Sequence, residues 1–219
     1  MTTLMALLAA LPAMTQDNTL TEDEKKEGWK LLFDGKTTTG WRGYKKETCP
    51  DGWQAVDGAL TRVNKSGDIL TTETYENFDL KIDWRVGPGG NSGVMFHVTE
   101  TEKEPYMTGP EMQVLDTAKD PIHSAGSCYG LYAPTKQVVK PVGEWNSSRL
   151  VANKGKCEHW LNGEKIVEYE IGSEEWNKKV ADSKFKAWAQ FGKPSKGHVA
   201  LQDHGDKVEF KNIRIKTLN

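Results

Sequence analysis

A strict alternation of apolar and charged residues in FDLKIDWRV, residues 78–86 of the segment YENFDLKIDWRV (75–86), limits this part of the chain to one kind of secondary structure. Every second residue from Phe78 to Val86 is apolar, and each residue between them is charged. Successive side chains of a β-strand point to opposite faces of a sheet, so this period of two predicts a strand with one buried and one solvated face.

Three later segments, residues 93–99, 111–115 and 198–204, alternate in the same way and are also predicted to be strands. The residues expected to point inward are Val94, Phe96, Val98, Met112, Val114, Val199 and Leu201. The residues expected to point outward are Met95, His97, Thr99, Glu111, Gln113, His198, Ala200, Gln202 and His204. Most of the side chains that can do chemistry therefore belong to the outward set.

Turn and cap signals complete the prediction of an all-β fold. Asn162-Gly163 between two apolar segments predicts a hairpin, and Lys211-Asn212 predicts a bulge in the last strand. Thr21 with Glu24 forms a capping-box pattern, and Ser173 can cap a second short helix. We expect a jelly-roll sandwich of two antiparallel sheets with one or two short helices, in a single domain over residues 22–219.

The composition excludes two classes of function and favours a third. Lys and Arg total 29 against 31 Asp and Glu, so there is no basic field to attract nucleic acid. No apolar run approaches the roughly 20 residues that a membrane span needs. The 21 Gly and 8 Trp suit tight turns and flat faces on which sugars stack, so a carbohydrate partner is expected.

The N-terminus predicts export. LMALLAAL (4–11) before Pro12-Ala13 fits the apolar core and end of a secretory signal peptide over residues 1–16, and thus a periplasmic or secreted protein. No Lys or Arg precedes the run, so a frayed apolar N-terminus is the alternative. Cys49, Cys128 and Cys157 are odd in number and widely spaced, which allows one bridge and one free thiol without choosing the pair.

The first candidate site is EMQVLD, residues 111–116. Strict alternation puts Glu111 and Gln113 on one face and Asp116 on the other, whereas a bulge after Gln113 would bring all three together. The pattern resembles the catalytic strand of retaining β-glucanases, but Gln113 stands where those enzymes have an Asp. Retaining glycosidases need two carboxyl groups about 5 Å apart, so this reading is disfavoured.

The second candidate is His204, which has Gln202 beside it on the same predicted face. Imidazole can act as a base, an acid or a metal ligand, although an ordinary surface histidine is the simpler reading. His97 is also predicted to face outward, and together with Glu111 and His204 it could bind a divalent metal ion. No other cofactor is indicated.

Two loops contribute further candidates. The glycine-rich segment GPGGNSG (87–93) matches no phosphate-binding motif and reads as a hairpin loop, in which Asn91 is a candidate for substrate binding. KPVGEWN (140–146) offers the cation of Lys140 and the ring of Trp145 at the edge of a cleft, with a packed turn as the alternative.

Eight segments together resemble the 3-keto-disaccharide hydrolase family, in the same order from residue 28 to residue 216. They are GWKLLFDGKTTTGW (28–41), WQAVDGAL (53–60), NFDLKIDWRVGPGGNSGVMFHV (77–98), EMQVLD (111–116), YGLYAP (129–134), KPVGEWN (140–146), HWLNGEKI (159–166) and HVALQDHGDKVEFKNIRIK (198–216). The resemblance implies a concanavalin A-like jelly roll, a bacterial exported protein, and substrates oxidised at carbon 3 of the sugar.

The resemblance also implies a mechanism. A ketone at carbon 3 acidifies the proton on carbon 2, so one base can remove it; the glycosidic oxygen then leaves from carbon 1, and water adds to the enone. Glu111 or His204 is the expected base. The enolate would be stabilised by Gln113, Gln202, Arg85 or a divalent ion. Tyr129 or Lys140 would protonate the leaving oxygen, and Asn91, Asp116 and Trp145 are further candidates for sugar binding.

Two other functions are compatible with the same fold. A conventional β-glucanase would use Glu111 and Asp116 on unoxidised polysaccharide. A non-catalytic, lectin-like module would bind sugar through its tryptophans without cleaving it, because a fold by itself does not fix function.

Overall fold

The computed structural model describes residues 16–116 and 120–219. The predicted signal peptide, residues 1–16, lies outside the described residues except for its last position. No helix in the described part of the chain is long and apolar enough to cross a membrane.

The described residues form thirteen strands and two α-helices, with short 3-10 helices at Pro105–Met107, Pro121–His123 and Lys184–Ala187. In chain order the elements are α1 (Glu22–Lys26), β1 (Lys30–Leu31), β2 (Trp41–Gly43), β3 (Trp53–Val56), β4 (Ala59–Arg62), β5 (Ile69–Thr71), β6 (Phe78–Val86), β7 (Asn91–Val98), β8 (Glu111–Leu115), β9 (Asn146–Asn153), β10 (Lys156–Leu161), β11 (Glu164–Glu170), α2 (Glu174–Ala181), β12 (His198–Leu201) and β13 (Val208–Thr217).

The strands form two antiparallel sheets. The larger has the order β11-β10-β9-β6-β13-β4-β3, with β1 also paired to β13, and the smaller has the order β2-β5-β12-β7-β8. Their apolar faces pack together around a core that includes Phe78, Trp84 and Phe210. This arrangement confirms the predicted all-β sandwich of two antiparallel sheets with two short helices.

Local sequence signals fix several of the predicted elements. Thr21 and Glu24 form both hydrogen bonds of a capping box at the start of α1, and the Ser173 hydroxyl accepts a hydrogen bond from the Trp176 amide at the start of α2. Asn162 and Gly163 adopt left-handed backbone angles in the β10–β11 turn, as the tight hairpin requires. The pairing register of β13 shifts between Lys211 and Arg214, where a bulge was expected.

The predicted direction of two side chains in β7 is wrong because this strand contains a bulge. His97 has a left-handed φ of 52°, and β7 has one more residue than β12 between their paired positions. An extra residue reverses the alternation beyond it. His97 consequently turns inward against Phe78 and Phe96, while Val98 joins the separate apolar cluster of Leu70, Met95 and Ala200.

Two further expectations are settled by the fold. Strand β12 ends at Leu201, so Gln202 and His204 belong to the following loop rather than to a strand that reaches residue 204. All three cysteines are free thiols, with Cys128 and Cys157 buried in the core. The one-bridge arrangement is therefore absent.

Candidate active site

The outward face of the smaller sheet brings together the polar residues of β7 and β8. In the antiparallel pairing Glu111 lies opposite Met95 and Gln113 lies opposite Gly93. Their neighbours Met112 and Val114 point into the core, so Glu111 and Gln113 must point away from it. A side chain on Gly93 would overlap the carboxyl group of Glu111, and the glycine thus leaves room for that group.

A pocket of about 200 Å³ lies on this face. Six of the residues predicted from the sequence to form a site line it: Asn91, Glu111, Gln113, Tyr129, Gln202 and His204. Tyr106, Lys184 and Phe185 complete its wall. Sequence reasoning missed these three because they lie in or beside 3-10 helices, where no periodic pattern indicates a direction.

A network of hydrogen bonds holds the amide side chains in place. Gln113 Nε2 donates to Asn91 Oδ1 over 3.0 Å, and the Asn91 backbone N–H donates to Asp206 Oδ2 over 3.2 Å. The backbone of Gln202 bonds to Gly93 and to the Ser92 hydroxyl. Among the described residues, the side-chain amides of Asn91 and Gln202 have no protein acceptor, so their N–H groups are available to a ligand.

Glu111 is the carboxyl group of this pocket. The pKa of Glu111 is raised to about 8, mainly by burial and also by the negative charge of Asp68, with Lys184 partly opposing both. Within the described chain, no hydrogen bond satisfies its side chain. Such a carboxyl exchanges protons near neutral pH, as a general base or acid must.

The other polar residues of the pocket surround this carboxyl. Burial, and then the charge of Glu111, raises the pKa of Tyr129, whose ring lies beneath Lys184 with Nζ 4.5 Å from the ring centre. His204 lies at the mouth with its side chain 52% exposed, and its Nδ1 is 3.8 Å from Asp206 Oδ2.

A larger cavity of about 670 Å³ adjoins the pocket. Tyr106, Gln202 and His204 line both spaces. Asp68 lies in the wall of the larger cavity. Its pKa is raised to about 7, mainly by burial, which the hydrogen bond from the Asp203 N–H opposes and the charges of Asp203 and Glu104 reinforce. Sequence analysis missed Asp68 because it stands alone between Gly67 and the short strand β5, without a motif.

The structure does not bring Asp116 into the pocket. Strand β8 pairs regularly with β7 through Leu115, without the bulge that would have turned Asp116 toward Glu111. The Asp116 carboxylate instead accepts a hydrogen bond of 2.5 Å from the Gly89 N–H in the preceding turn. The pair of carboxyls that a β-glucanase would need is not formed by these two residues.

Three other predicted site residues lie elsewhere, on the outer face of the larger sheet. Arg85 in β6 forms a two-pronged ion pair with Glu209 of β13 and stacks on Trp145, 4.7 Å from the ring centre. Lys140 donates a hydrogen bond from Nζ to the Trp145 carbonyl. Because β6 and β9 belong to the other sheet, this cluster of Arg85, Lys140 and Trp145 does not line the pocket.

The proposed metal ligands are also not brought together. His97 is buried within the sandwich, where its Nε2 lies 2.8 Å from the Glu76 carbonyl, whereas Glu111 and His204 lie on the outward face. Across residues 16–116 and 120–219, no group of three or more His, Cys, Asp or Glu side chains is arranged to bind a metal ion.

Known proteins resemble the chain over most of its length. The sequence profile of the 3-keto-alpha-glucoside-1,2-lyase-like domain matches residues 28–216. The 3-keto-disaccharide hydrolase of Bacteroides thetaiotaomicron is 34% identical over 230 aligned residues, which cover 88% of this chain and 79% of that protein.

Solved structures agree. Two crystal structures from Parabacteroides distasonis, of proteins inferred to be glycosyl hydrolases, have TM-scores of 0.87 and 0.70 with 40% and 30% identity. The matches cover 93% and 87% of this chain and 100% and 99% of those chains. They confirm the expected carbohydrate-active enzyme. By sequence and by fold, the chain belongs to the 3-keto-alpha-glucoside-1,2-lyase-like family.

Proposed function

We propose that this enzyme cleaves 3-keto-glycosides by removing the proton on carbon 2 and eliminating the glycosidic oxygen from carbon 1. The observation that carries the proposal is a desolvated carboxyl, Glu111, set among amide groups in a pocket whose described lining residues include no second acid. A retaining glycosidase needs two carboxyls about 5 Å apart, whereas removal of a proton beside a ketone needs one base and hydrogen-bond donors for the enolate.

Each group has a role in this reaction. Glu111 takes the proton from carbon 2, and its raised pKa makes it a stronger base than an ordinary carboxylate. The N–H groups of Asn91 and Gln202 donate hydrogen bonds to the oxygen on carbon 3, where negative charge develops. Gln113 holds Asn91 in place through its 3.0 Å hydrogen bond. Addition of water to the enone, with return of a proton to carbon 2, completes hydrolysis.

The first test compares a 3-keto-disaccharide with its unoxidised parent, with and without a chelator. We expect turnover of the keto sugar alone, unchanged by the chelator, and deuterium at carbon 2 of the product in D₂O because Glu111 exchanges its proton with solvent. Glu111→Gln should lower kcat by at least about 100-fold, the usual contribution of a general base. The exposed Glu170→Gln is the matched control.

Other results would contradict the proposal. Cleavage of unoxidised glucan would indicate a conventional β-glucanase. Binding of both sugars without turnover would indicate a lectin-like module. Activity that disappears with a chelator and returns with a divalent ion would show that a metal ion, and not the side-chain amides, stabilises the enolate.

Export to the periplasm or the medium is part of the proposal and is supported by the apolar run at residues 4–11. N-terminal sequencing of the protein recovered from its native host tests it. A mature chain that starts at Asp17 is expected, and an intact Met1 in the cytoplasmic fraction would refute export.

A further inference from the structure

The larger cavity gives the pocket a second compartment. The two spaces meet at Tyr106, Gln202 and His204, and the larger has a volume of about 670 Å³ against about 200 Å³. A glycoside whose keto ring lies beside Glu111 would then direct its departing half through this junction into the larger space. This step and the inference below rest on the proposed function.

Asp68 is held rigidly in the wall of that compartment. Its Oδ1 accepts a hydrogen bond of 2.7 Å from the Asp203 N–H, and its backbone carbonyl accepts one of 2.9 Å from the Tyr44 N–H. Among the described residues, no donor contacts Oδ2. The carboxyl is thus fixed at one oxygen, while the other has no protein partner and can exchange a proton with a ligand.

The proposed reaction needs a proton donor near the departing oxygen. An alkoxide is a poor leaving group and must be protonated as the bond at carbon 1 breaks. The two donors expected from the sequence do not fit. Lys140 lies on the opposite sheet, and the Tyr129 phenol lines the smaller pocket with Glu111 rather than the larger cavity. Burial and the charge of Glu111 raise the pKa of Tyr129 and make it a weaker acid. Burial raises the pKa of Asp68 to about 7 and that of Glu111 to about 8, so the form that reacts, with the proton on Asp68 and Glu111 ionised, is the minor form of the singly protonated pair near neutral pH.

We propose that the larger cavity receives the departing half of the glycoside and that Asp68 protonates its leaving oxygen. As Glu111 takes the proton from carbon 2, the carbon 1–oxygen bond breaks, its electron pair stays on oxygen, and the Asp68 proton converts that oxygen to a hydroxyl. In hydration, the Asp68 carboxylate takes a proton from the water that adds to carbon 1, and Glu111 returns its proton to carbon 2. No oxidant or other co-reactant is required.

The test uses two substrates that share a keto ring and differ in how much the departing oxygen needs a proton. They are a 3-keto-disaccharide, which releases an alcohol, and 4-nitrophenyl 3-keto-glucoside, which releases a stable phenolate. For Asp68→Asn we expect the rate of leaving-group release in a single turnover to fall at least about 100-fold on the disaccharide and less than about fivefold on the nitrophenyl glucoside, which is the pattern of a lost general acid. Release is measured because it precedes hydration, in which Asp68 would act on both substrates alike.

Three features keep the result interpretable. Asparagine retains the side-chain oxygen that accepts the Asp203 N–H, so the loop keeps its anchor. The ratio of the two rates does not depend on the folded fraction, because both substrates meet the same preparation. Asp51→Asn makes the same chemical change in an exposed turn and should alter neither rate.

Equal losses on the two substrates, or no loss on either, would overturn the role of Asp68 while leaving the proposed function intact. Failure of the wild-type enzyme to cleave either keto substrate would instead refute the proposed function, and the role of Asp68 with it.

Discussion

At the scale of single residues, Glu111 combines a functional advantage with a cost in stability. Its carboxyl group is desolvated, and no hydrogen bond in the described chain stabilises its charged form, which is why its pKa rises from 4.5 to about 8. Active sites commonly retain such groups because catalysis needs a proton-exchanging residue where folding alone would prefer a neutral one.

Removing this charge should therefore stabilise the protein in a pH-dependent way. Between pH 4.5 and pH 8 the folded state keeps a proton on Glu111 that the unfolded state has lost, so the free energy of unfolding falls as pH rises. Glu111→Gln cannot ionise, so relative to wild type its free energy of unfolding should gain almost nothing near pH 4.5 and about 4 kcal/mol near pH 8.

Guanidinium unfolding of both proteins across this range measures the effect. For Glu170→Gln, a change at an exposed strand end, the difference in free energy of unfolding from wild type should not vary with pH. A Glu111→Gln difference that is constant with pH would mean that the carboxyl is ionised in the folded protein, contrary to its surroundings.

At the scale of elements, the loop after β12 depends on one buried anchor. The Asp203 side chain is 1% exposed and accepts hydrogen bonds from Arg62 Nε, the Ser66 N–H and the Gly67 N–H at 2.7, 2.7 and 2.9 Å. These bonds tie the loop to the segment before β5. Gln202 and His204 flank this anchor, so its geometry sets where they enter the site.

Asp203→Ala should lower the free energy of unfolding by about 3 kcal/mol, because the guanidinium of Arg62, 10% exposed, loses its carboxylate. It should also reduce kcat/KM, since Gln202 and His204 lose their support. Chemical denaturation and steady-state kinetics measure the two effects. An exposed aspartate changed in the same way, Asp51→Ala, should alter neither, and a cost below about 1 kcal/mol for Asp203→Ala would show that the ion pair is dispensable.

At the scale of the whole molecule, the two sheets have different outer faces. The smaller sheet carries the pocket. The larger carries cations packed on tryptophans, such as Arg85 and Lys211 over the ring of Trp145, with their charges 4.7 and 4.5 Å from the ring centre. Because these cations compete with a sugar for the ring of Trp145, we expect this tryptophan to have a structural role.

Trp145→Ala should therefore leave the KM for a 3-keto-disaccharide within about twofold of wild type while lowering the free energy of unfolding by about 1–3 kcal/mol, through lost cation–π and packing contacts. Kinetics and denaturation of the same sample distinguish the two effects. A tenfold rise in KM with unchanged stability would place sugar binding on the larger sheet instead.

Local sequence patterns were enough to predict the direction of most strand side chains and six of the residues that line the smaller pocket. Period-two alternation is a local property of a strand, so it correctly placed Glu111 and Gln113 opposite the core-facing Met112 and Val114, and Gln202 opposite Leu201. Caps and turns, such as Thr21 with Glu24 and Asn162-Gly163, are equally local and were predicted correctly.

Which of these local faces meet depends on how the strands pair and how the sheets pack. Strand order placed Arg85 and Trp145 on one sheet and Glu111 on the other, and a single extra residue at His97 reversed the alternation that had suggested a metal ligand. Asp68 lies in the wall of the larger cavity, where it is held by a hydrogen bond from Asp203, more than a hundred positions away in the chain. Strand pairing and loop anchoring depend on contacts distant in sequence, and no short-range pattern of residues encodes them.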